Sequence, residues 1–392
     1  MNRFIVCLFL FMPTLFSCQS NNATSPTAKA SVEPLYLDQH FTSPTAFTIE
    51  SEQEIFMLDD EMRFMVENTL NTTTDPRKKA IKLLTQIFSK EQISLNYSSN
   101  ANLTARETYH SKTANCMSLT IMAYALAKEA NLFVNFQQVD VPEYWVRNGQ
   151  YNLLTGHVNL LIVPIGQPNR LLAYGTDNLQ IDFDPFVVKE SFPRRVITKS
   201  TVLAMFYNNK GGQALVDEKY DIAYQYFKAA TLADRDFSAA WGNLAVLYRL
   251  TNNLEIAEKV YRYAIDVNPD NLTALTNLAL LLRSQEYYVE ANEIEKKLLH
   301  KRIKNPYYHA VLADEAYYKQ DYKQALAHYK KAIKLNAKIH ELYIGMAKVY
   351  YQMNKLPEAE RAVKKALSLN KAQTIEHQYI AKLNFLKAER TN

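Results

Sequence analysis

The stretch that decides the fold is residues 241–269, which read WGNLAVLYRLTNNLEIAEKVYRYAIDVNP. One alanine in it, Ala257, has counterparts at intervals of 34 residues in both directions. The full series is Ala223, Ala257, Ala291, Ala325 and Ala359, with no slippage. A period this regular predicts an array of identical structural units in the second half of the chain.

Four further columns of residues keep the same register. Two hold mostly small residues: Gly211, Ala245, Ala279, Ala313 and Ala347; and Ala230, Ala264, Leu298, Ala332 and Ala366. Two hold mostly large ones: Tyr207, Trp241, Leu275, His309 and Tyr343; and Phe227, Tyr261, Glu295, Tyr329 and Val363. The unit resembles the tetratricopeptide repeat, in which two helices cross closely where side chains are small. The resemblance implies an all-α solenoid of five repeats over residues 204–373, a capping helix and tail over 374–392, and a concave surface that binds a protein or peptide.

The amino-acid composition limits the classes of protein to which this chain can belong. The chain has 392 residues, of which 48% are hydrophobic and 22% charged, so a wholly disordered protein is excluded. A net charge of +5 is too small to indicate a nucleic-acid partner. Three cysteines, Cys7, Cys18 and Cys116, cannot form a multi-disulfide scaffold.

The N-terminus has the pattern of an export signal. Residues 4–16 are almost wholly apolar but too few to span a bilayer as a helix. The following Ser17-Cys18 resembles a bacterial lipobox, which implies a signal peptide over residues 1–17 and a lipid on Cys18. The alternative is an ordinary cleaved signal with an incidental cysteine. Residues 18–45 are polar and favour a flexible tether. Because Gln19 is not acidic, the expected location is the cell envelope, on the outer membrane facing the periplasm.

Cys116 is the one thiol that a mature lipoprotein would keep for other uses. In an oxidising compartment a lone thiol is a liability unless it is buried or used, which favours a catalytic role. Apolar spacing predicts a helix over residues 116–130, with Thr113 or Asn115 as its cap. On the first turn of that helix, the unpaired N–H groups and the helix dipole favour thiolate.

A histidine and a carboxylate follow the cysteine on predicted strands. Alternating patterns predict strands over residues 133–141, 158–163 and 178–183. His157 begins the second strand, and Asp182 lies near the end of the third. Acyl transfer by a thiolate needs a thiol, an imidazole that shuttles the proton and a carboxylate that orients the imidazole. Neither a cofactor nor a metal is expected.

The segments Asn115-Cys116-Met117-Ser118, Gly156-His157-Val158-Asn159 and Ile181-Asp182-Phe183 resemble the transglutaminase-like superfamily. More closely, they resemble bacterial proteins that join such a domain to tetratricopeptide repeats. The resemblance implies a papain-like α+β domain over residues 46–200, with Cys116 as nucleophile, His157 as base and Asp182 as orienting acid. Asp184 is the alternative acid, because many superfamily members place Pro directly after it.

An oxyanion hole would use the backbone N–H of Cys116. Gln137 or Gln138 would add a side-chain donor, although polar residues on a half-exposed strand explain both glutamines equally well.

Two functions therefore stay open. One is a membrane-anchored thiol-dependent amidase, protease or transglutaminase-like acyltransferase, whose repeats hold a protein partner. The other is a non-catalytic interaction scaffold with a degenerate transglutaminase-like domain.

Overall fold

A computed structural model describes residues 32–42, 47–89, 92–140, 145–148, 151–154, 157–163, 179–181 and 193–370, together with 379–380, 382–384 and 386–387. The chain forms two compact units, residues 1–36 and 37–392. In the first unit the described residues contain a 3₁₀ turn at Glu33–Leu35. The predicted signal peptide and Cys18 lie outside the described residues. Within the part of the chain described, no helix has both the length and the apolar character needed to cross a membrane.

Five helices open the second unit, and most of them begin at a residue whose side chain caps the free N–H groups. Ser51 and Glu54 form a reciprocal capping box before the first helix, and Thr104 and Glu107 form another before the fourth. Asp75 caps the third. The helices are α1 (Glu52–Phe56), α2 (Asp60–Met65, extended by a π-helical turn at Val66–Leu70), α3 (Pro76–Phe88), α4 (Ala105–Ser111) and α5 (Cys116–Glu129).

The strands in the described residues form three small sheets. They are β1 (Asn96–Tyr97), β2 (Thr113–Ala114), β3 (Phe133–Val139), β4 (Trp145–Asn148), β5 (Tyr151–Leu154), β6 (His157–Val163), β7 (Leu179–Ile181) and β8 (Arg194–Ile197). The largest sheet is antiparallel with the order β7-β6-β3-β8, and β1-β2 and β4-β5 form two-stranded sheets. The strands predicted over 133–141, 158–163 and 178–183 correspond to β3, β6 and β7. The papain-like arrangement of the whole domain stays a prediction.

Helix α5 lies at the centre of this region. It contacts α1, α3 and α4 as well as β3 and β6. As a result nearly every side chain from Met117 to Ala127 is buried, whatever direction it takes from the helix axis. The apolar spacing predicted this helix, and the structure buries it on nearly all sides.

Ten helices then pair into a solenoid. They are α6 (Lys199–Val216), α7 (Tyr220–Ala233), α8 (Ser238–Leu250), α9 (Leu254–Val267), α10 (Leu272–Ser284), α11 (Tyr288–Arg302), α12 (Pro306–Tyr318), α13 (Tyr322–Leu335), α14 (His340–Gln352) and α15 (Leu356–Leu369). The small residues Ala257 and Ala264 are fully buried where helices cross, as their spacing predicts. Beyond α15, the described residues Tyr379, Leu383 and Leu386 are buried in a cluster with the last repeat.

The first repeat shares its hydrophobic core with the N-terminal helices and the sheet. One cluster of buried residues runs from Ile55 and Leu126 to Phe206 and Ala230. Polar contacts reinforce it at Glu50. Its backbone carbonyl accepts a hydrogen bond from the Tyr207 hydroxyl at 2.7 Å, and its carboxylate accepts one from Tyr226 at 2.8 Å. The repeat array is therefore built onto the N-terminal region rather than joined to it by a linker.

The predicted flexible tether extends too far towards the C-terminus. Phe41 is 4% exposed and stacks on Tyr224, with the ring centroids 4.6 Å apart. Asp38 accepts hydrogen bonds from the Tyr224 hydroxyl at 2.8 Å and from the Lys228 ammonium at 2.5 Å. These contacts fix residues 37–42 on the first repeat, because a single aromatic ring in a polar segment finds a matching aromatic surface there.

Candidate functional site

The inner surface of the solenoid is formed by the first helix of each repeat. These helices contact one another in the pairs α6–α8, α8–α10 and α12–α14. Helices that approach each other most closely lie on the inside of a curved array, which is the concave surface.

A column of asparagines lies on this surface. Asn209, Asn243 and Asn277 occupy the same position in α6, α8 and α10 and recur every 34 residues. All three are half-buried. The Nδ2 of Asn243 donates to the Oδ1 of Asn208 at 2.8 Å, which leaves its own Oδ1 and its second amide hydrogen outside that bond. The Nδ2 of Asn277 donates to the Thr273 carbonyl at 3.1 Å.

The column ends in the fourth and fifth repeats, where Val311 and Gly345 occupy the same position. Gly345 leaves room for the ring of Tyr329, whose hydroxyl donates to the Asp314 carboxylate at 2.5 Å. Burial raises the pKa of Tyr329 well above its ordinary value, and the neighbouring Asp314 carboxylate raises it further. The amide groups are thus confined to the first three repeats. The asparagine column was not predicted from the sequence, although its 34-residue spacing is visible there.

Cys116 occupies the first turn of α5, as predicted. The Oδ1 of Asn115 accepts a hydrogen bond from the backbone N–H of Ser118 at 2.9 Å, which confirms Asn115 as the cap. The Asn115 Nδ2 also donates to the Oδ1 of Asn102 at 2.9 Å, and the Ser118 hydroxyl accepts from the Leu103 N–H at 3.0 Å. These bonds fasten residues 101–103 against the helix start. The Cys116 side chain is half-buried and in no disulfide.

His157 is the first residue of β6 and is 7% exposed. Thr120, one helical turn after Cys116, connects the two elements. Its hydroxyl donates to the Cys116 carbonyl at 2.7 Å and lies 3.4 Å from the Val158 carbonyl. The structure therefore places the beginning of β6 beside the beginning of α5.

The alternation of side chains along β6 sets His157 apart from the strand residues that pack on α5. Side chains alternate along a strand. Val158, Leu160 and Ile162 belong to the core that contains α5, so His157 and Asn159 lie on the opposite face. The hydrogen bond described for Cys116 involves its backbone carbonyl, whereas the candidate catalytic pair is the Cys116 thiol and the His157 ring. Their catalytic pairing stays a prediction.

Asp182 and Asp184 lie outside the described residues. Asp182 directly follows Ile181, the last residue of β7, which pairs with Leu160 of β6. The choice between the two acids stays open.

The two glutamines proposed as oxyanion donors differ sharply. Gln138 is half-buried, and its Oε1 accepts a hydrogen bond from the Nη2 of Arg195 at 2.9 Å. Gln137 is 1% exposed, and neither its Nε2 nor its Oε1 has a hydrogen-bond partner.

Comparison with known proteins identifies the repeats. Residues 238–271 and 316–380 each match a model described as "Tetratricopeptide repeat". The uncharacterized protein ycf37 of Cyanophora paradoxa is 32% identical over 79 residues, which are 20% of this chain and 46% of that protein. The chain thus spans about half the length of this curated relative. Together with the ten paired helices, the matches show that the C-terminal region is a tetratricopeptide-repeat solenoid.

Solved structures with similar helical arrays include pilF of Pseudomonas aeruginosa. It is 17% identical with a TM-score of 0.30, and the matched region covers 50% of this chain and 88% of the pilF chain. MamA of Desulfovibrio magneticus RS-1 is 12% identical with a TM-score of 0.27 and covers 45% of this chain and 98% of its own. YrrB, described as a repeat protein with an unusual peptide-binding site, is 12% identical with a TM-score of 0.25 and covers 45% of this chain and 90% of its own.

Proposed function

We propose that this chain, whose C-terminal region is a tetratricopeptide-repeat solenoid, holds an extended segment of a protein partner along the asparagine column. Such arrays generally bind proteins or peptides. The observation that carries the proposal is the recurrence of Asn209, Asn243 and Asn277 at one position of three successive inner helices.

The spacing suits a peptide backbone. Packed helices lie about 8–10 Å apart, and an extended chain advances about 3.3 Å per residue. One asparagine therefore falls opposite every third peptide residue. Each side-chain amide offers an acceptor and donors to the backbone N–H and C=O groups that an extended peptide leaves unpaired. Binding of this kind depends more on the extended conformation of the peptide than on its sequence.

The experiment uses the full chain and an unbiased library of 12-residue peptides, followed by calorimetry on the peptides selected. A net hydrogen bond contributes about 0.5–1.5 kcal/mol, so Asn243→Ala should weaken binding roughly 2- to 13-fold. Lys330→Ala, an exposed position on the outer helix α13, is the matched control and should leave affinity unchanged. Selected peptides that bind both variants as tightly as the wild type would contradict the proposal.

The second candidate function is cysteine acyl transfer by the N-terminal region. Two observations favour it: the half-buried Cys116 on the first turn of α5, and the start of β6 at His157 beside that turn. In this reaction the thiolate attacks the carbon of a peptide carboxamide, a C–S bond forms and the C–N bond breaks. Protonated His157 gives its proton to the departing ammonia. Water or an amine then cleaves the thioester, giving hydrolysis or cross-linking.

Alkylation of Cys116 tests this candidate. An imidazole-paired thiolate reacts with iodoacetamide well below pH ~8.5, the ordinary pKa of cysteine. His157→Ala should move the alkylation profile up to that value. Asp182→Asn and Asp184→Asn, compared directly, should identify the orienting acid as the variant that loses turnover of a glutaminyl peptide. A profile centred near pH 8.5 and unaffected by His157→Ala would leave the repeat scaffold as the sole function.

The envelope location belongs to the same proposal. A lipid on Cys18 would anchor the protein to the membrane, and the repeats would recruit partners there. Cys18→Ala should release the protein into the soluble periplasmic fraction. Membrane association of that variant equal to the wild type would contradict the lipid anchor.

A further inference from the structure

The outer helices of the last three repeats carry a column of lysines. Lys297, Lys331 and Lys365 occupy the same position of α11, α13 and α15 and recur every 34 residues. The corresponding residues of the first two repeats are Ala229 and Tyr263, so the lysine column begins in the third repeat. All three lysines are exposed. A row of positive charges therefore lies on the outer surface of the array.

The charges at the centre of this column are not compensated by their own helix. Helix α13 reads YKQALAHYKKAIKL and has no acidic residue. By contrast, Arg262 of α9 pairs with Glu290 of α11 at 2.7 Å. Among the residues that the structure describes, no lysine of the column forms a salt bridge. Lys334, one turn after Lys331, adds a further exposed ammonium group. The outer face of α13 is therefore strongly positive.

Exposed apolar side chains accompany the lysine column. Val289 of α11 is 78% exposed, and Tyr288 before it is 51% exposed. Because residues eight positions apart share one side of a helix, Val289 lies on the same side as Lys297. Glu293, between them, contributes one opposing charge. On α13, Leu335 is also exposed. The surface thus combines ammonium groups with aromatic and aliphatic groups that gain free energy by leaving water.

We propose that this outer surface binds an anionic phospholipid membrane. Lysines near such a membrane are attracted by its acidic headgroups, and tyrosine and aliphatic side chains enter the interface between headgroups and acyl chains. Lysine is a compact point charge that suits a diffuse anionic surface, whereas bidentate recognition of one carboxylate favours arginine. An acidic protein segment would match the lysines but would leave Val289 and Tyr288 in water. The membrane is therefore the better complement.

The proposal sets the orientation of the repeat array. The lysine column lies on the outer helices, and the asparagine column lies on the inner helices. A membrane bound to the outer surface leaves the concave surface open to a protein partner. The inference goes beyond the proposed lipid anchor, because it concerns contacts of the folded repeats themselves.

The test measures co-sedimentation of the full chain with vesicles. The protein carries Cys18→Ala, so that no acyl chain on that residue contributes. One set of vesicles is phosphatidylcholine alone, and the other is an equal mixture of phosphatidylcholine and phosphatidylglycerol. The apolar N-terminal residues contribute alike to both sets. We expect at least roughly 10-fold tighter binding to the anionic vesicles, and the difference should vanish in 1 M salt, where the Debye length is about 3 Å.

Charge variants test the lysine column directly. Each lysine near an anionic surface contributes roughly fivefold in affinity, so the triple variant Lys297→Gln, Lys331→Gln and Lys365→Gln should bind anionic vesicles roughly 100-fold more weakly. Its binding to neutral vesicles should be unchanged. The matched control removes the same charge from exposed lysines outside the outer helices and should keep most of the affinity: Lys78→Gln, Lys128→Gln and Lys348→Gln.

Val289→Ser separates a membrane from a soluble acidic partner. It removes an apolar group and no charge, so it should weaken binding to anionic vesicles and leave the salt dependence unchanged. Equal binding to the two sets of vesicles, or equal losses in the triple variant and its control, overturns the proposal. Undiminished vesicle binding by Val289→Ser, together with lysine-dependent binding of a polyglutamate peptide, also overturns it and assigns the column to an acidic protein.

Discussion

Gly345→Ala should destabilise the repeat array, whereas Gly242→Ala should stabilise it, although both replace a glycine inside a repeat helix. A Cβ on Gly345 would overlap the ring and hydroxyl of Tyr329. A Cβ on Gly242 would lie 3.6 Å from the Asn271 Nδ2 and 3.7 Å from the Ala274 Cβ, which is ordinary contact. Both substitutions gain the helix preference of alanine over glycine. The difference in stability between the two variants therefore measures the effect of the close contact between Gly345 and Tyr329.

The magnitudes follow from the contacts. Alanine is favoured over glycine in a helix by about 1 kcal/mol, and this is the whole effect expected at Gly242. Overpacking a buried site costs about 1–3 kcal/mol. Displacing Tyr329 also strains its hydrogen bond to the Asp314 carboxylate, and a bond to a charged group is worth about 1.5–3 kcal/mol. After subtracting the helix preference, Gly345→Ala should lose about 2 kcal/mol of unfolding free energy.

Thermal unfolding monitored by circular dichroism measures the difference. For an array of this size, about 2 kcal/mol corresponds to a fall of roughly 4–8 °C in the midpoint, while Gly242→Ala should rise by roughly 2–4 °C. Double substitution Gly345→Ala with Tyr329→Leu should recover much of the loss, because the ring that clashes is gone. A Gly345→Ala midpoint equal to or above the wild type would refute the close packing of α13 against α14.

Three further outcomes are expected. His328 stacks on His309, with the ring centroids 5.8 Å apart, and burial together with the neighbouring His309 lowers the pKa of His328 below the ordinary 6.5. Because the folded state favours the neutral ring, the free energy of unfolding should fall as the pH drops below 6.5. His328→Gln should flatten that decline, as measured by urea titrations at a series of pH values. If the stability of His328→Gln fell with pH as steeply as that of the wild type, another group would be responsible for the pH dependence. Phe41→Ala should cost about 2–4 kcal/mol, since its ring is stacked and buried, whereas Phe64→Ala, 70% exposed, should leave the denaturation midpoint in place. Equal effects would mean that residues 37–42 are not packed in solution. Glu50→Ala leaves the Tyr226 hydroxyl without its acceptor and should destabilise the fold by about 1–3 kcal/mol, as chemical denaturation would show.

The repeat array could be predicted from sequence because its period survives in every copy. The 34-residue columns give the number of repeats and the small residues at helix crossings. The turns between the helices could not be predicted as well from residue type. In each repeat one turn residue has a positive φ, and these are Glu218, Asn252, Glu286, Gln320 and Asn354. Asparagine tolerates this conformation and glutamate does not favour it, so the neighbouring helices, not the residue type, enforce the turn.

The junction with the first repeat could not be read from composition. Residues 37–42 carry few apolar side chains, and a polar segment predicts a flexible tether. One buried ring, Phe41, and one paired carboxylate, Asp38, are enough to fix it, because Tyr224 and Lys228 present the matching surface. Long-range partners of this kind leave no local pattern.

The sequence predicted the helix and the strand that carry Cys116 and His157, but it could not predict how their side chains are arranged relative to each other. The sequence correctly placed Cys116 after the cap Asn115 on a helix and His157 at the start of a strand. The face that a strand residue takes depends on register, and one residue of shift moves a side chain through the sheet. The register of β3 with β6 puts His157 with Gln137 and away from α5.

Docking of a partner on the asparagine column is tested most directly with a photoreactive amino acid at Asn243 on the concave surface, and separately at Lys330 on the outer surface. Each protein is mixed with a peptide selected from the library and irradiated, and the adduct is located by mass spectrometry. We predict a cross-link to the peptide backbone from position 243 and none from position 330. Cross-linking from position 330 alone would show that the partner binds the outer surface and that the asparagine column is not the docking site.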